Sequence, residues 1–301
     1  MSTSIASEAK TQHDTLTPSF LGILRGELLK ISRQWTTWVM LLFWLGIICL
    51  PYLLMFTSPD IKTNLQHSAL SFLYSRTEGN LAILRVFSGF FLIILTARVI
   101  GLEYQLGTIR LLLARGVGRL QLLGMKLLTV ILVGLVLLGA GLLLNVLLTY
   151  LLVLLVTGNL DPLKSLTPAF WADMRLYVVT IMISMGVTIL MATAMAVIGR
   201  SLTFGLSVAL VWFPVDNIGT IIMMLANRIT HNDFWLNVTA YFLGPNLNTL
   251  AGTLLPGGAD DIGAQPLVKV DSNHVLLVVL VYALIFIVTA IVLTWRRDVK
   301  E

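Results

Sequence analysis

Six long runs of this sequence carry almost no charged residue, and each is long enough to cross a lipid bilayer as an α-helix. A spanning helix needs roughly 20 apolar residues to cross about 30 Å of hydrocarbon. The runs are 35–56, 81–100, 127–156, 176–198, 202–226 and 275–294. The whole sequence is 12% charged, whereas a soluble domain carries about 25%. We therefore predict an all-α, polytopic membrane protein with six transmembrane helices.

The distribution of Lys and Arg predicts which side of the membrane each loop occupies. If the N-terminus is cytoplasmic, 13 of the 20 basic residues but only 6 of the 15 acidic residues lie on the cytoplasmic side. This bias predicts that both termini lie in the cytoplasm. We expect the protein to lie in the plasma membrane, of the bacterial inner-membrane type. The bias also accounts for the net charge of +5, so we expect no nucleic-acid partner. We predict a disordered cytoplasmic tail at 1–17 and one membrane domain at 18–301.

The segment before the first run differs from a transmembrane helix. Thr17 and Pro18 suit the start of a helix, and the residues that follow place apolar and polar side chains on opposite faces. We predict an N-terminal amphipathic elbow helix that lies in the membrane interface. Its charged residues include Glu27, Lys30 and Arg33, and we expect the basic ones to face lipid headgroups. The alternative is that this segment is the frayed start of the first span.

The stretch between the fifth and sixth runs contains a further apolar segment. Residues 239–255 carry no charge but are interrupted by Gly244-Pro245, so they are too short and irregular for a clean span. Irregular backbone at membrane depth requires protein or water to satisfy its polar groups. We therefore predict a re-entrant or interfacial hairpin before the last helix.

Four polar residues lie in or near the predicted spans, where ionisable side chains are costly and are candidates for function. Arg85 and Arg98 lie toward the ends of their span, where long side chains can reach headgroups. Asn145 suits a hydrogen bond to a neighbouring helix. Asp216 follows Pro214 and lies either at the outer rim or along a substrate route. Asn145 and Asp216 are thus candidates for a translocation path.

Catalytic and metal-binding patterns are absent from the sequence. The four histidines lie outside the apolar runs and lack metal-ligand spacing. There is also no Gly-x-x-x-x-Gly-Lys-Ser/Thr loop to bind ATP phosphates. We expect no catalytic residue, metal or cofactor in this chain, so that any ATP hydrolysis would take place in another subunit.

The loop between the second and third runs gives the most specific information. It has a Gly and an acidic residue at the end of the second run, then a Gly-Thr pair, a short apolar helix, a basic turn and a Lys that enters the third run. This order resembles the first cytoplasmic loop of the type 2 ABC transporter permeases, the export-class membrane subunits, and residues 27–35 resemble their elbow helix. The matching residues are Gly101, Glu103, Gly107, Thr108, Leu111, Leu112, Leu113, Arg115, Arg119 and Lys126. One departure is 116–119, where many members carry a Pro and a Ser.

The resemblance implies that a short helix over Thr108–Ala114 docks into an ATPase subunit. Three leucines would serve as exposed apolar anchors and three arginines would set the register. Glu103 would pair with a basic residue of the partner or with Arg98. The predicted coupling residues are Glu103, Gly107, Thr108, Arg110, Leu111, Leu112, Leu113, Arg115 and Arg119. The alternative, an ordinary loop whose arginines bind headgroups, does not explain three consecutive leucines.

The function that we expect is therefore the permease subunit of an exporter. It would pair with itself or with a sister permease in membrane lipid and be driven by a separate ABC ATPase that binds ATP and Mg²⁺. One alternative is an ATP-independent secondary carrier, which would need ionisable residues at mid-membrane. A second alternative is a membrane enzyme that acts through Asp216, Asp233 and His231.

Overall fold

The computed structural model describes residues 20–114, 116–255 and 263–296. Within these ranges the chain is helical, and six helices are long and apolar enough to span a membrane. Each of them covers one of the predicted apolar runs to within one residue, so the prediction of an all-α protein with six candidate spans is confirmed. The predicted tail, the Thr17-Pro18 helix start and Arg115 lie outside the described residues.

Twelve α-helices make up the described chain, and α2, α4, α7, α8, α9 and α12 are the candidate spans. They are α1 (Phe20–Ser32), α2 (Trp35–Met55), α3 (Ile61–His67), α4 (Ala69–Thr96), α5 (Leu102–Gln105), α6 (Thr108–Ala114), α7 (Arg119–Thr157), α8 (Pro168–Gly199), α9 (Leu202–Thr230), α10 (Phe234–Val238), α11 (Leu243–Leu254) and α12 (Ser272–Arg296). A π-helical turn at Ala97–Gly101 joins α4 to α5 and carries the second span on to Gln105. At 39 residues, α7 is about 58 Å long, which is more than a straight span of about 30 Å of hydrocarbon needs, so we expect it to be tilted or to extend beyond the bilayer.

Helices α4 and α8 form the centre of the bundle, and they are the two most buried spans. They pack against each other, and α8 also packs against α9 and α12. The backbones of α8 and α9 approach closely, since a Cβ added to Gly205 would lie 2.7 Å from Ala196 Cα. Small residues at such crossings are typical of helices that associate in membranes.

Helix α1 is separate from the first span, because the backbone is extended at Gln34 (φ −82°, ψ 121°) before α2 begins at Trp35. Glu27 and Ile31 are buried on the side of α1 that packs against α7, whereas Leu21 is exposed. A helix therefore exists where the elbow was predicted. Its location in the membrane interface stays a prediction.

The segment before the last span also contains helices, α10 and α11, joined by a 3₁₀ turn at Thr239–Tyr241. The break between them lies at Phe242, whose backbone is extended (φ −75°, ψ 137°). The prediction that Gly244-Pro245 interrupts the helix is thus wrong. Both residues lie in the first turn of α11, where a proline is tolerated because it removes no intrahelical hydrogen bond. Re-entry of this segment into the membrane stays a prediction.

Candidate functional site

A seven-residue helix, α6, lies in the loop between the second and third spans, over the predicted residues Thr108–Ala114. Glycines in the left-handed region flank it, with φ of +67° at Gly107 and +83° at Gly116. The Gly107 N–H donates to Tyr104 O (3.3 Å), and the Gly116 N–H donates to Leu113 O (3.0 Å). Since glycine adopts positive φ without steric cost, the backbone can turn at both ends of α6. Helix α6 is therefore separate from the helices before and after it.

The apolar surface of this loop differs from the prediction of three exposed leucines. Leu111 is 65% exposed, but Leu113 is half-buried and packs against the cluster formed by Ile109, Val117 and Leu122. Ile109 and Leu113 lie four residues apart, on one face of the helix, and that face is turned toward α7. Leu106, also 65% exposed, is a further exposed apolar residue of this loop that the sequence reasoning missed. The one signal for it was an isolated Leu before Gly107.

The polar residues of the loop are divided between its surface and its interior. Arg110 is exposed, as a docking residue would be. Arg119 instead donates from Nη1 to Trp295 O (3.4 Å), which ties the loop to the end of α12. Thr108 Oγ1 donates to Glu103 O (3.4 Å). Arg115 and the side chain of Leu112 lie outside the description, so their docking roles stay predictions.

Two acidic and two basic side chains form an ion network behind α6, in which all but Lys30 are buried. Lys126 Nζ lies 2.7 Å from Glu103 Oε2 and 3.1 Å from Glu27 Oε1. Lys30 Nζ lies 2.6 Å from Glu103 Oε1 and 4.0 Å from Glu27 Oε2. Lys126, only 2% exposed, also donates to Val99 O (2.8 Å) in the π-helical turn. The network is electrically neutral, and it joins α1, α5 and α7 at the base of the loop.

This network corrects one prediction, that Glu103 pairs with Arg98. Glu103 is buried and instead pairs with Lys30 and Lys126, and its pairing with a basic residue of a partner stays a prediction. Lys30 pairs with Glu103, but its side chain is 38% exposed, so its contact with lipid headgroups stays a prediction. Arg33, just beyond α1, is exposed, so its headgroup contact stays a prediction.

Gly101 ends the π-helical turn at a point where backbones are in contact. A Cβ added there would lie 2.9 Å from Leu202 Cα and 3.0 Å from Ser201 O. No side chain fits without movement of the α8–α9 turn. The end of the second span is therefore held against both α7, through Lys126, and the start of α9.

Asn145 lies in α7 and bonds to the first span. Tyr52 OH donates to Asn145 Oδ1 (3.0 Å) and lies 3.0 Å from Thr149 Oγ1, while Asn145 Nδ2 donates to Gly141 O (2.8 Å). This is the helix-to-helix contact that the sequence favoured. A role of Asn145 in a translocation path stays a prediction.

Asp216 binds the start of α11. Its Oδ2 accepts hydrogen bonds from the Gly244 N–H (2.7 Å) and from Trp212 Nε1 (3.1 Å). A carboxylate at a helix N-terminus satisfies an otherwise unpaired N–H and interacts favourably with the helix dipole. The structure thus gives Asp216 a structural contact, and its place on a substrate route stays a prediction.

The three residues of the enzyme alternative do not form one site. Asp216 lies within α9, and His231 follows its last residue. Fifteen residues of helix place them about 22 Å apart, and the Asp233 carboxylate accepts from Asn227 Nδ2 (3.3 Å) at the far end. The prediction of a joint catalytic site at Asp216, Asp233 and His231 is therefore wrong.

Arg85 is buried rather than directed toward headgroups. It donates from Nη1 to Leu247 O and from Nη2 to Asn248 Oδ1 (3.2 Å), both in α11. The expectation that it reaches the lipid surface is wrong, because α11 packs between the spans and covers it. The sequence predicted a re-entrant or interfacial hairpin in this segment but did not predict its contact with Arg85.

Comparison with known proteins agrees with the arrangement of spans and loop. A family profile described as ABC-2 family transporter protein matches residues 21–299. No curated protein matches the chain significantly. The family match begins within α1 and covers every described helix that follows, including α6 and the residues of the ion network.

Proposed function

This chain belongs to the ABC-2 family of transporter proteins, and from that membership we propose that it is the permease of an ATP-driven exporter whose ATPase is a separate subunit. It is a multi-pass membrane transport subunit. ATP and Mg²⁺ would bind to the ATPase, and this chain would supply the membrane path and the surface that receives the mechanical signal.

The observation that carries the proposal is an exposed short helix, α6, whose loop is held in place by the buried ion pair of Glu103 and Lys126. Helix α6 presents Leu111 and Arg110 outward, and Leu106 precedes it. An exposed leucine beside an exposed arginine suits docking to a partner, where apolar anchors contribute affinity and charges set orientation. The loop that bears these residues is fixed at its base by Glu103 and Lys126.

The ion network supplies a route for force. When the ATPase subunits close, they would push α6, and Glu103 would carry that displacement to Lys30 in α1 and to Lys126 in α7. Because buried ion pairs lose several kcal/mol when separated, the three helices would move together. The two permeases of the dimer would then change between inward-facing and outward-facing arrangements.

The remaining assignments follow from the same family. The permease would pair with a second copy or with a sister permease through its exposed apolar faces, surrounded by lipid. Export is the expected direction, because the resemblance is to the export-class permeases. The expected location is the bacterial inner membrane. Both termini are expected in the cytoplasm, because basic residues concentrate on the side that bears α6.

Affinity purification from native membranes in mild detergent, with mass spectrometry of co-eluting proteins, tests the proposal. We expect a stoichiometric P-loop ATPase that is retained by the wild type and lost from Leu111→Asp. Phe234→Asp is the matched control, since Phe234 is also an exposed apolar residue of a short helix, α10. Helix α10 follows the last residue of α9, whereas the loop that bears α6 lies near the first residue of α9. Purification of the wild type alone, with nucleotide present and at several detergent strengths, would contradict the proposal and favour the secondary carrier.

A further inference from the structure

A partly open cavity of about 280 Å³ lies between α4, α8, α9 and α11. Its polar lining comes from Arg85, Ser184, Thr188, Asn217 and Asn248. Small-molecule sites are mostly apolar pockets of roughly 300–1,000 Å³ with a few convergent polar groups. The composition of this cavity fits that class, and its volume of about 280 Å³ lies just below the range.

Arg85 supplies the charge of the lining. Its side chain is 6% exposed and is held in place by the contacts to Leu247 and Asn248. Among the described residues that line the cavity, it is the one that is ionised at neutral pH. A guanidinium in a low-dielectric interior exerts a stronger field than one in water, and its planar set of donors suits carboxylate and phosphate oxygens.

Thr188 supplies a hydroxyl. The residue is 1% exposed, and its Oγ1 has no hydrogen-bond partner within the described ranges. Leaving such a group unsatisfied is unfavourable, because the loss of its hydration is not compensated. Its Oγ1 has less than 1 Å² of accessible surface, so the side chain has to rotate about Cα–Cβ for the hydroxyl to donate to an oxygen acceptor of a ligand in the cavity.

The rest of the lining is apolar and includes Val86, Phe90, Pro214 and Leu247. The one nearby carboxylate of α9, Asp216, is directed to the Gly244 N–H and to Trp212, and it does not line the cavity. The cavity therefore combines one cation and neutral hydrogen-bonding groups with an apolar wall.

We propose that this cavity binds the anionic headgroup, a carboxylate or a phosphate, of a small amphiphilic substrate. Arg85 binds the charge, Thr188 donates to one of its oxygens, and the apolar wall contacts the adjoining hydrocarbon. That the ligand is the transported substrate rests on the proposed function. The site itself does not depend on it.

The test is titration calorimetry of the purified permease in phosphatidylcholine nanodiscs with four probes of equal chain length. Hexanoate and hexyl phosphate carry the anion, and hexanol and hexylammonium are the neutral and cationic comparisons. We expect the wild type to bind at least one anionic probe roughly tenfold more tightly than hexanol, the ratio expected for a hydrogen-bonded charge. The stronger of the two anionic probes distinguishes a carboxylate from a phosphate substrate.

Two variants with a matched design locate the binding. Thr188→Val removes the hydroxyl with little change in shape, and we expect it to weaken the binding of the anionic probe about tenfold. Thr193→Val is the control, because Thr193 is also in α8, is buried and has an unsatisfied Oγ1, but does not line the cavity. Arg85→Lys keeps the charge and should retain part of the preference for anions.

Equal binding of hexanol and both anions by the wild type would overturn the proposal, as would equal weakening by Thr188→Val and Thr193→Val. If the proposed function is wrong but this site exists, the two experiments give different outcomes. A chain that binds the anionic probe through Thr188 but co-purifies with no ATPase would retain this site and lose its role in ATP-driven export.

Discussion

The ammonium group of Lys126 lies 2.7 Å from a carboxylate oxygen of Glu103, so the start of the third span is tied to the end of the second. The same ammonium group contacts Glu27 of α1 at 3.1 Å. One buried cation thus serves two acids from helices that are far apart in sequence. The energetic consequences of this arrangement can be measured directly.

Replacing Lys126 by Met should destabilise the protein strongly. The change keeps the volume of the side chain but leaves Glu27 and Glu103 buried with Lys30 alone, and breaking a buried pair costs about 3–5 kcal/mol. Thermal unfolding in detergent measures the loss. Lys164→Met is the control, because Lys164 forms an exposed pair with Asp161, and it should show no resolvable change. Equal unfolding temperatures for the two variants would contradict a stabilising role of the network.

Introducing a methyl group at Gly101 should destabilise the contact between the second span and the α8–α9 turn. The added Cβ would lie 2.9 Å from Leu202 Cα, and such overpacking costs about 1–3 kcal/mol. Gly124→Ala is the control. Gly124 is within α7 and has no atom within 4 Å of an added Cβ, so helix propensity should raise stability by about 0.5–1 kcal/mol. The two variants should therefore shift the unfolding temperature in opposite directions.

Asp216 offers a distinction between a helix cap and a charged group on the substrate route. Asp216→Asn keeps an acceptor for the Gly244 N–H, so a cap role predicts nearly unchanged stability and transport. Asp216→Ala removes the acceptor and should cost about 0.5–2 kcal/mol. Loss of transport in reconstituted vesicles by Asp216→Asn, with stability retained, would show instead that the negative charge is required.

The contact between Tyr52 and Asn145 should contribute a measurable coupling energy between α2 and α7. Interhelical hydrogen bonds in membranes average about 0.6 kcal/mol and reach about 1.7 kcal/mol. A double-mutant cycle with Tyr52→Phe and Asn145→Leu, followed by unfolding in detergent, measures this value. Additive effects of the two changes would mean that the hydrogen bond does not stabilise the pair of helices.

Sequence patterns were sufficient for the six spans and for α6, because both depend on local information. Apolar runs of fixed length define the spans, and glycines at 107 and 116 define the turns around α6. The partner of Glu103 could not be predicted in the same way. Lys30 lies 73 residues away, and only the packing of α1 on α7 brings it close, whereas Arg98 is near in sequence and was the natural expectation.

The position of α11 also could not be predicted, because it depends on packing between segments that are far apart in sequence. Its sequence is short and apolar, which predicts a hairpin but not the spans against which it packs. Arg85 was assigned to the lipid surface because nothing local indicates that Leu247 and Asn248 would cover it. Leu113 was assigned to the exposed anchors because three adjacent leucines do not reveal which face of a seven-residue helix is turned inward.

The length of α7 has a consequence for biogenesis. The helix begins at Arg119, eight residues before its apolar run, and so projects about 12 Å past that run. We therefore expect α6, which immediately precedes it, to lie clear of the hydrocarbon. If an ATPase subunit docks on α6 as proposed, we expect this chain to insert into the bilayer first and to recruit that subunit afterwards from the aqueous phase. Insertion would then require no match between the two chains in the timing of synthesis or in stoichiometry.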